Sequence, residues 1–300
     1  MIKIAYHPIY AHPLPEGHRF PMLKYELIPQ QLLHEGIITT ENLFEPEPAS
    51  EENILAVHDA VYWLQLKELQ LPAKEQRRIG FPLNARLIER EIRIAQGTIE
   101  GALWAKKHKI AFNIAGGTHH AGSYWGEGFC LLNDQAIAAQ YLLDHNLAKY
   151  ILIVDLDVHQ GNGTAQIFEN EDRVFTFSMH GDKNFPFRKE KSSLDIALPN
   201  GVSDQEYLEI LKKTFPEIIR VHQPDFVFYL SGVDVLASDK LGKLALSIDA
   251  CKERDRIVFE NCQKYSLPVQ VSMGGGYSED IKIIVNAHCN TFRTAFDLFS

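Results

Sequence analysis

Short apolar runs recur along the chain, and longer amphipathic segments lie between them. A continuous apolar run is typical of a strand buried inside a parallel sheet, whereas a helix repeats its apolar positions every three or four residues. The runs predict strands at 2–6, 109–115, 151–154, 173–179, 225–231 and 268–273. The alternation of strands and helices predicts an α/β fold, with a mainly parallel central sheet and helices on both faces.

The amphipathic segments predict the helices. Helices are expected at 22–35, 86–107, 133–146, 163–169, 247–265 and 278–298, with another after the capping pair Ser203 and Glu206. A further helix is predicted between the N-cap Ser50 and Pro72, with Ile54, Val57, Val61 and Leu64 on one face. Segments 74–85 and 180–201 are expected to be loops. Because the chain has no internal repeat and no long linker, we expect one domain over residues 1–300.

Composition and charge narrow the class of protein. Apolar residues make up 45% of the 300 residues and charged residues 23%, which is typical of a soluble globular protein. The net charge of −9 and the lack of a basic run argue against direct nucleic-acid binding. An acidic protein can, however, favour a cationic substrate. Composition leaves the oligomeric state open.

No segment predicts a signal peptide or a membrane span. The N-terminus lacks a long apolar run followed by small residues, and no stretch approaches the ~18 consecutive apolar residues of a transmembrane helix. The cysteines have no C-x-x-C spacing and are expected to be free thiols; they are Cys130, Cys251, Cys262 and Cys289. These features predict a cytoplasmic enzyme.

The strand at 151–154 is followed directly by ionisable residues. Asp155, Asp157 and His159 occupy alternate positions, so on an extended backbone they project to the same side. Ligands of open α/β sheets bind at the carboxyl ends of the strands. Burying three ionisable groups there is costly without a cation or partners, which favours a metal site. The alternative is that both aspartates cap the next helix and that His159 packs in the core.

Three other strands also end in glycine and polar residues. These ends are Gly116-Gly117-Thr118-His119-His120, then Asp234, then Gly274-Gly275-Gly276-Tyr277. The ends of parallel strands share one edge of the sheet, so all of these residues can converge on one pocket. Asp157, His159 and Asp234 would then provide a ligand set that suits zinc or ferrous iron. Three protein ligands leave a position open for catalysis, and a bound metal can lower the pKa of its water to about 7.

The remaining polar residues suit proton transfer. The paired His119 and His120 are candidates for general acid and base, with Asp155 and Asn162 orienting their rings. Tyr277 can donate its hydroxyl to a developing oxyanion. The simpler interpretations are loop histidines, a helix N-cap for Asp234, and a half-buried aromatic for Tyr277.

These motifs together resemble the zinc-dependent histone deacetylase family, and most closely its bacterial members similar to the class IV branch. The matching segments are GGTHHA (116–121), GEGFCLLND (126–134), VDLDVHQGNGT (154–164), SGVD (231–234), GGGY (274–277) and, upstream, PASEENILAVHD (48–59). The resemblance runs over nearly the whole chain. It implies the arginase-like α/β fold and hydrolysis of acyl-lysine amides.

The resemblance also implies roles for individual residues. Zinc would bind Asp157, His159 and Asp234. His119 and His120 would be the tandem acid/base pair, oriented by Asp155 and Asn162, with His120 as the general base. Tyr277 would polarise the scissile carbonyl.

Further implied roles concern the substrate and a second cation. Phe129 and Phe185 would wall a tunnel for the acyl-lysine chain, Gly128 would give a backbone contact, and Arg19 would lie near the acetate-release cavity. A potassium ion would bind through segment 155–159 and main-chain oxygens near Ser178 and Met179. The chain departs from the family at Gln160, where many members have histidine, and at Asn162, where class I has aspartate. Segment 74–85 contains no aspartate to grip a substrate backbone.

The resulting prediction is a metal-dependent deacylase that acts on acetylated or longer-chain acylated lysine. An acetylpolyamine or small-metabolite amidohydrolase is the alternative within the family. A dinuclear metallophosphoesterase would also use Asp, His and Asn, but it needs more ligands, typically including an Asn-His-Asp run that is missing here. A binder of acylated lysine without turnover is the third alternative.

Overall fold

The apolar runs form an eight-stranded, entirely parallel sheet in the computed structural model, which describes residues 1–299. The strands are β1 Lys3–Ala5, β2 Leu43–Phe44, β3 Ile110–Asn113, β4 Ile151–Asp155, β5 Val174–Gly181, β6 Leu194–Leu198, β7 Phe226–Leu230 and β8 Val269–Ser272. Their order across the sheet is β2-β1-β3-β8-β7-β4-β5-β6. The predicted parallel α/β fold is therefore confirmed.

The sheet order explains why distant segments meet. Strands β3, β8, β7 and β4 are consecutive neighbours, and every residue in them is buried. The loops that follow these four strands therefore leave the same edge of the sheet side by side. They are the loops that carry the polar motifs.

Helices cover the sheet on both faces. They are α1 Lys24–His34, α2 Glu51–Leu55, α3 Ala60–Lys67, α4 Ala73–Ile79, α5 Ala85–His108, α6 Asp134–Asp144, α7 Asn162–Ile167, α8 Asp204–His222, α9 Ile248–Lys264 and α10 Ile281–Phe299. Adjacent residues of β3 show the two layers. Ala111 faces Gly101 of α5, whereas Phe112 stacks on Phe292 of α10 with ring centroids 4.4 Å apart.

The single helix predicted between Ser50 and Pro72 is wrong, because two helices, α2 and α3, lie there, but its N-cap Ser50 is confirmed. Asp59 accepts hydrogen bonds from the backbone N–H groups of Val61 and Tyr62, which starts a new helix with a new register. The predicted apolar face is therefore partly wrong. Val61 and Leu64 are exposed, and Tyr62, Trp63 and Leu66 are buried instead.

Two segments predicted as loops contain regular structure. Helix α4 occupies the first half of 74–85, and Gly80 ends it in a left-handed conformation (φ +85°), so this glycine is a C-cap. Strand β6 lies within 180–201 and pairs with β5 at the edge of the sheet. Its mixed, half-exposed side chains lack the continuous apolar run of a central strand. The two-residue edge strand β2 is too short to give a sequence signal.

Two further predictions concern thiols and membranes. All four cysteines are buried and free, as expected. Within residues 1–299, no helix combines the length and the apolar character that crossing a bilayer requires.

Candidate metal centre and active site

The loops after β4 and β7 bring two carboxylates and one imidazole together. Nδ1 of His159 lies 3.0 Å from Oδ1 of Asp157 and 3.1 Å from Oδ2 of Asp234. All three side chains are buried, and their candidate ligand atoms lie within 4.8 Å of one another. These three residues therefore lie together, as the sequence predicts.

Backbone groups fix the orientation of both carboxylates. The N–H of Gly275 donates to Oδ2 of Asp157 at 2.8 Å, and the N–H of Val158 donates to Oδ1 of Asp234 at 2.9 Å. A Cβ on Gly275 would lie 2.0 Å from Oδ2 of Asp234. The glycine after β8 is therefore required because the backbone passes against the carboxylates.

The charges of this cluster suit a divalent cation. Burial lowers the pKa of His159, but hydrogen bonds to Asp157 and Asp234 outweigh it and raise the pKa to about 10. Burial and the neighbouring Asp157 raise the pKa of Asp234 to about 7. Two buried carboxylates thus attract positive charge into the site. One imidazole and two carboxylates are a donor set that fits zinc or ferrous iron.

Two histidines lie beside this cluster, each with its own polar partner. Nδ1 of His119 is 2.6 Å from Oδ2 of Asp155, and Nδ1 of His120 is 2.7 Å from Oδ1 of Asn162. The two imidazole rings are 4.1 Å apart between centroids. Nε2 of His119 lies 3.9 Å from Oδ1 of Asp157, so His119 borders the candidate metal ligands.

The environments of the two histidines shift their pKa values in opposite directions. Burial lowers the pKa of His119, but the charges of Asp155 and Asp157 outweigh it and raise the pKa above its usual value. Burial, followed by the charges of His119 and His159, holds the pKa of His120 well below its usual value. His119 therefore favours its protonated form, whereas His120 favours its neutral form, which can accept a proton. Opposite shifts in neighbouring groups are typical of an acid/base pair.

Tyr277 lies beside this cluster, with its ring centroid 6.5 Å from that of His159. Burial, and then the charges of Asp234 and Asp157, raise the pKa of the Tyr277 phenol well above its usual value. The phenol therefore stays protonated. Its backbone N–H donates to Oδ2 of Asp239 at 2.6 Å, which fixes the start of the loop that presents the ring.

Aromatic residues line the outer cleft, which has a volume of 320 Å³ and leads to Tyr277 and the histidines. The Phe185 ring lies 4.9 Å from the His120 ring, and the Phe129 ring lies 6.0 Å from the Tyr277 ring. Gly128 allows this close approach, since a Cβ there would lie 2.6 Å from Cδ2 of His120. The cleft is therefore walled by aromatic rings where it meets the polar centre.

The prediction that Arg19 lies near an inner, acetate-release cavity is wrong. Arg19 is exposed, lines the outer cleft, and holds its guanidinium 5.0 Å from the centroid of the Phe129 ring. Its neighbour Phe20 is buried and takes the inward position. The inner cavity has a volume of 40 Å³ and is lined by Arg90 of α5 instead. Arg90 forms a buried ion pair with Glu91.

A buried lysine near the centre was missed from the sequence. Nζ of Lys24 donates to the carbonyl oxygen of Gly274 at 3.0 Å. Burial lowers the pKa of Lys24 to about 8, although the charges of Asp234 and Asp157 oppose that shift. The available signal was its register, since Lys24 shares a helical face with the buried Ile28 and Leu32.

Two other polar residues connect the site to its surroundings. Nδ2 of Asn162 donates to Oε1 of Glu127 at 2.7 Å, so the orienting amide has a buried partner of its own. Gln160, the other departure from the family, donates to the carbonyl oxygen of Glu190 and to Oδ1 of Asp195. Gln160 therefore connects the loop after β4 to β6 and to the segment that precedes it.

Comparisons with known proteins agree with this geometry. The histone deacetylase domain matches residues 18–292. An uncharacterized protein of Picosynechococcus sp. is 43% identical over 296 residues, which cover 99% of each chain. A probable deacetylase of Archaeoglobus fulgidus is 32% identical over 83% of this chain and 73% of its own length. Histone deacetylase 2 of Arabidopsis thaliana is 29% identical over 87% of this chain and 70% of its own length.

Solved structures agree as well. The crystal structure of an HDAC homolog complexed with SAHA has a TM-score of 0.86 at 25% identity and covers 99% of this chain and 84% of that one. An HDAC homolog from Aquifex aeolicus has a TM-score of 0.85 at 25% identity, with 98% and 84% covered. The chain therefore belongs to the histone deacetylase family and shares its fold.

Proposed function

We propose that this protein is a zinc-dependent deacylase that hydrolyses N-acyl amides of lysine side chains in peptides or proteins. One observation carries the proposal: a buried Asp-His-Asp cluster lies beside two histidines whose pKa values are shifted in opposite directions. Membership of a deacetylase family supports the same chemistry. We further propose that residues 1–300 form one catalytic domain.

Asp157, His159 and Asp234 would hold the metal, with zinc as the proposed ion and ferrous iron as the alternative. The cation, when bound, would polarise the amide carbonyl and lower the pKa of water. Among residues 1–299, these three side chains are the only group placed to hold such a metal ion. One such ligand group within residues 1–299 supports a deacylase over a dinuclear metallophosphoesterase, which needs two sets of ligands.

His120 would be the general base. Its Nδ1 faces Oδ1 of Asn162 and so carries the proton, which leaves the lone pair of Nε2 free to accept a proton from attacking water. His119, or His120 once protonated, would give a proton to the leaving amine. Tyr277 would donate its hydroxyl to the oxyanion as it develops.

Phe129 and Phe185 would hold the alkyl chain of the substrate lysine, with a backbone contact from Gly128. The apolar wall next to His120 supports this role. Arg19 would act at the mouth of the cleft. A structural potassium ion is proposed at segment 155–159 and the main-chain oxygens near Ser178 and Met179. Asp155 of β4 pairs directly with Ser178 of β5. This pairing supports the potassium site, because it brings oxygen atoms that can bind a cation close together.

The test is hydrolysis of an acyl-lysine fluorogenic peptide by the zinc-loaded chain and its variants. We expect Tyr277→Phe to lower kcat by about 10²–10³, and His120→Ala by about 10²–10⁴. His34→Ala is the control, because His34 is exposed on α1, outside the site. Unchanged turnover in both site variants would contradict the proposal. Tight hydroxamate binding without turnover in the wild type would indicate a binder of acylated lysine.

A further inference from the structure

The outer cleft is lined by positive charge. Its four charged lining residues are Arg19, Arg78, Lys183 and Lys243, and no carboxylate lines it. This local excess is opposite in sign to the net charge of the chain, which is −9. The buried carboxylates of the metal centre lie beneath this cleft rather than in its wall.

Two of these charges have acidic partners and two do not. Arg78 contacts Glu127 at 2.7 Å, and Lys183 contacts the exposed Asp182 at 2.8 Å. Arg19 lies over the Phe129 ring, and Lys243 donates to the carbonyl oxygen of Lys183 at 3.0 Å. Within residues 1–299, neither Arg19 nor Lys243 has a carboxylate within ion-pair distance. The mouth thus keeps positive charge that is available to a ligand.

We propose that this cleft selects acyl-lysines in acidic peptide segments and rejects acylated polyamines. The inference rests on the proposed deacylase function, which places the acyl amide at Tyr277 and the rest of the substrate at the mouth. A polyamine would hold its remaining ammonium groups against Arg19 and Lys243. Aspartate or glutamate next to the acyl-lysine would instead meet opposite charge. The local charge therefore reverses the preference expected from the net charge.

The test compares acetyl-lysine peptides of equal length flanked by Asp, Asn or Lys, together with an acetylpolyamine, on the zinc-loaded chain. We expect kcat/KM for the Asp-flanked peptide to exceed that of the Lys-flanked peptide by about tenfold or more, and the ratio to fall as salt is added. In the double variant Arg19→Gln/Lys243→Gln the ratio should approach one. Lys107→Gln is the control. Lys107 is exposed in the last turn of α5, just before β3, and so lies at the amino ends of the strands, opposite the carboxyl ends that carry the site.

Fluorescence anisotropy of the same peptides separates this proposal from the deacylase function. The Asp-flanked peptide is expected to bind with the lowest Kd and the Lys-flanked peptide with a higher one, whether or not the peptides are hydrolysed. Equal affinities, a preference for the Lys-flanked peptide or the polyamine, or a ratio that the double variant leaves unchanged would overturn the inference. Peptides that bind in the expected order without any turnover would overturn the deacylase function alone.

A different observation carries a second inference, about the general base. Four side chains form a chain of hydrogen bonds: Nδ1 of His120 to Oδ1 of Asn162, Nδ2 of Asn162 to Oε1 of Glu127, and Arg78 to Oε2 of Glu127, each 2.7 Å long. Glu127 and Asn162 are buried.

The chemistry of these groups determines which atom donates in each of these hydrogen bonds. A carboxylate only accepts hydrogen bonds, so Asn162 must turn its NH₂ group to Glu127 and its oxygen to His120. His120 must then donate from Nδ1, which leaves Nε2 without a proton. We infer that Glu127 is a positioning residue that fixes the tautomer of His120. Without the carboxylate, the amide of Asn162 can rotate by half a turn and favour the tautomer that is inactive as a base.

The test uses ¹⁵N-histidine-labelled, zinc-loaded protein, in which two-bond ¹H–¹⁵N correlations distinguish the tautomers. Wild-type His120 is expected as the Nδ1–H tautomer. Glu127→Met removes the acceptor and should give mixed tautomers, with kcat about 10–100-fold lower and KM nearly unchanged. Glu127→Gln can still turn an oxygen to Asn162 and should retain the tautomer and most of the activity. A pure Nδ1–H tautomer in the Met variant, or equal effects of Met and Gln, would overturn the inference.

Discussion

A substitution at Gly275 tests whether backbone geometry holds the proposed metal ligands in place. This glycine follows β8, and its N–H donates to Oδ2 of Asp157. A Cβ added there would lie 2.0 Å from Oδ2 of Asp234 and 2.9 Å from Oδ2 of Asp157. The substitution Gly275→Ala therefore places one methyl group against two of the three proposed ligands without changing any charge.

The size of the effect follows from these distances. Ordinary van der Waals contact begins near 3.4 Å, so the Asp234 carboxylate must retreat by about 1.4 Å. Metal–ligand distances tolerate deviations of only about 0.2 Å. Asp234 would therefore either leave the coordination sphere or move together with the loop after β7. Because changes to residues that merely orient ligands cost about 10–100-fold in metal affinity, we expect a loss of about 100-fold or more.

The assay is zinc affinity by competition with a fluorescent chelator, with acyl-lysine hydrolysis measured on the same samples. Gly101→Ala is the matched control, because a Cβ in this helical position would meet its nearest neighbour, Cγ of Gln270, at 3.4 Å. The control should bind zinc normally and gain up to about 1 kcal/mol of stability from higher helix propensity. A folded Gly275→Ala variant with wild-type zinc affinity would refute the reasoning.

Three further predictions concern stability and substrate binding. Burial lowers the pKa of His58 to about 4, and its ring accepts from the N–H of Asn133 only when neutral. The unfolded state, in which the histidine pKa is higher, therefore binds more protons, so the free energy of unfolding falls as pH drops from about 6.5 to 4. In urea titrations, His58→Gln should lose about 2 kcal/mol less unfolding free energy than the wild type between pH 7 and 4.5. An equal loss in both proteins would contradict this. Arg254→Met breaks a fully buried ion pair with Asp255 and should cost about 3–5 kcal/mol in urea unfolding, whereas a change below about 1 kcal/mol would rule out that role. Phe185→Ala should raise KM for an acyl-lysine peptide about tenfold with kcat nearly unchanged, and an unaltered KM would argue against a tunnel wall.

The sequence was sufficient to predict the central strands of the sheet and the convergence of the loops that follow them. The central strands are continuous apolar runs, and parallel strands place their carboxyl ends at one edge, so Asp157, His159 and Asp234 were predictable as neighbours. The contact between Asp157 and His159 was also predictable, because residues two positions apart on an extended backbone project to the same side. Elements at the edge of the sheet were not, because β2 and β6 are short or half-exposed and their patterns resemble loops.

Contacts that depend on tertiary packing were not predictable from local patterns. Glu127 contacts Asn162 and Arg78, which are far from it in the sequence, and nothing near Glu127 signals either partner. The choice between Arg19 and Phe20 for the inward position depends on how their loop packs against Phe129. The net charge likewise gave no information about the charge of the cleft, because it averages over the whole surface.

Metal content is the most direct test of the central claim. Wild-type chain and the variant Asp234→Asn are loaded with zinc, freed of unbound metal, and measured by elemental analysis alongside acyl-lysine hydrolysis. The wild type is expected to retain one transition metal per chain and to hydrolyse the substrate, and the variant is expected to lose both. Two transition metals per wild-type chain, or hydrolysis that persists in metal-free protein, would contradict the account.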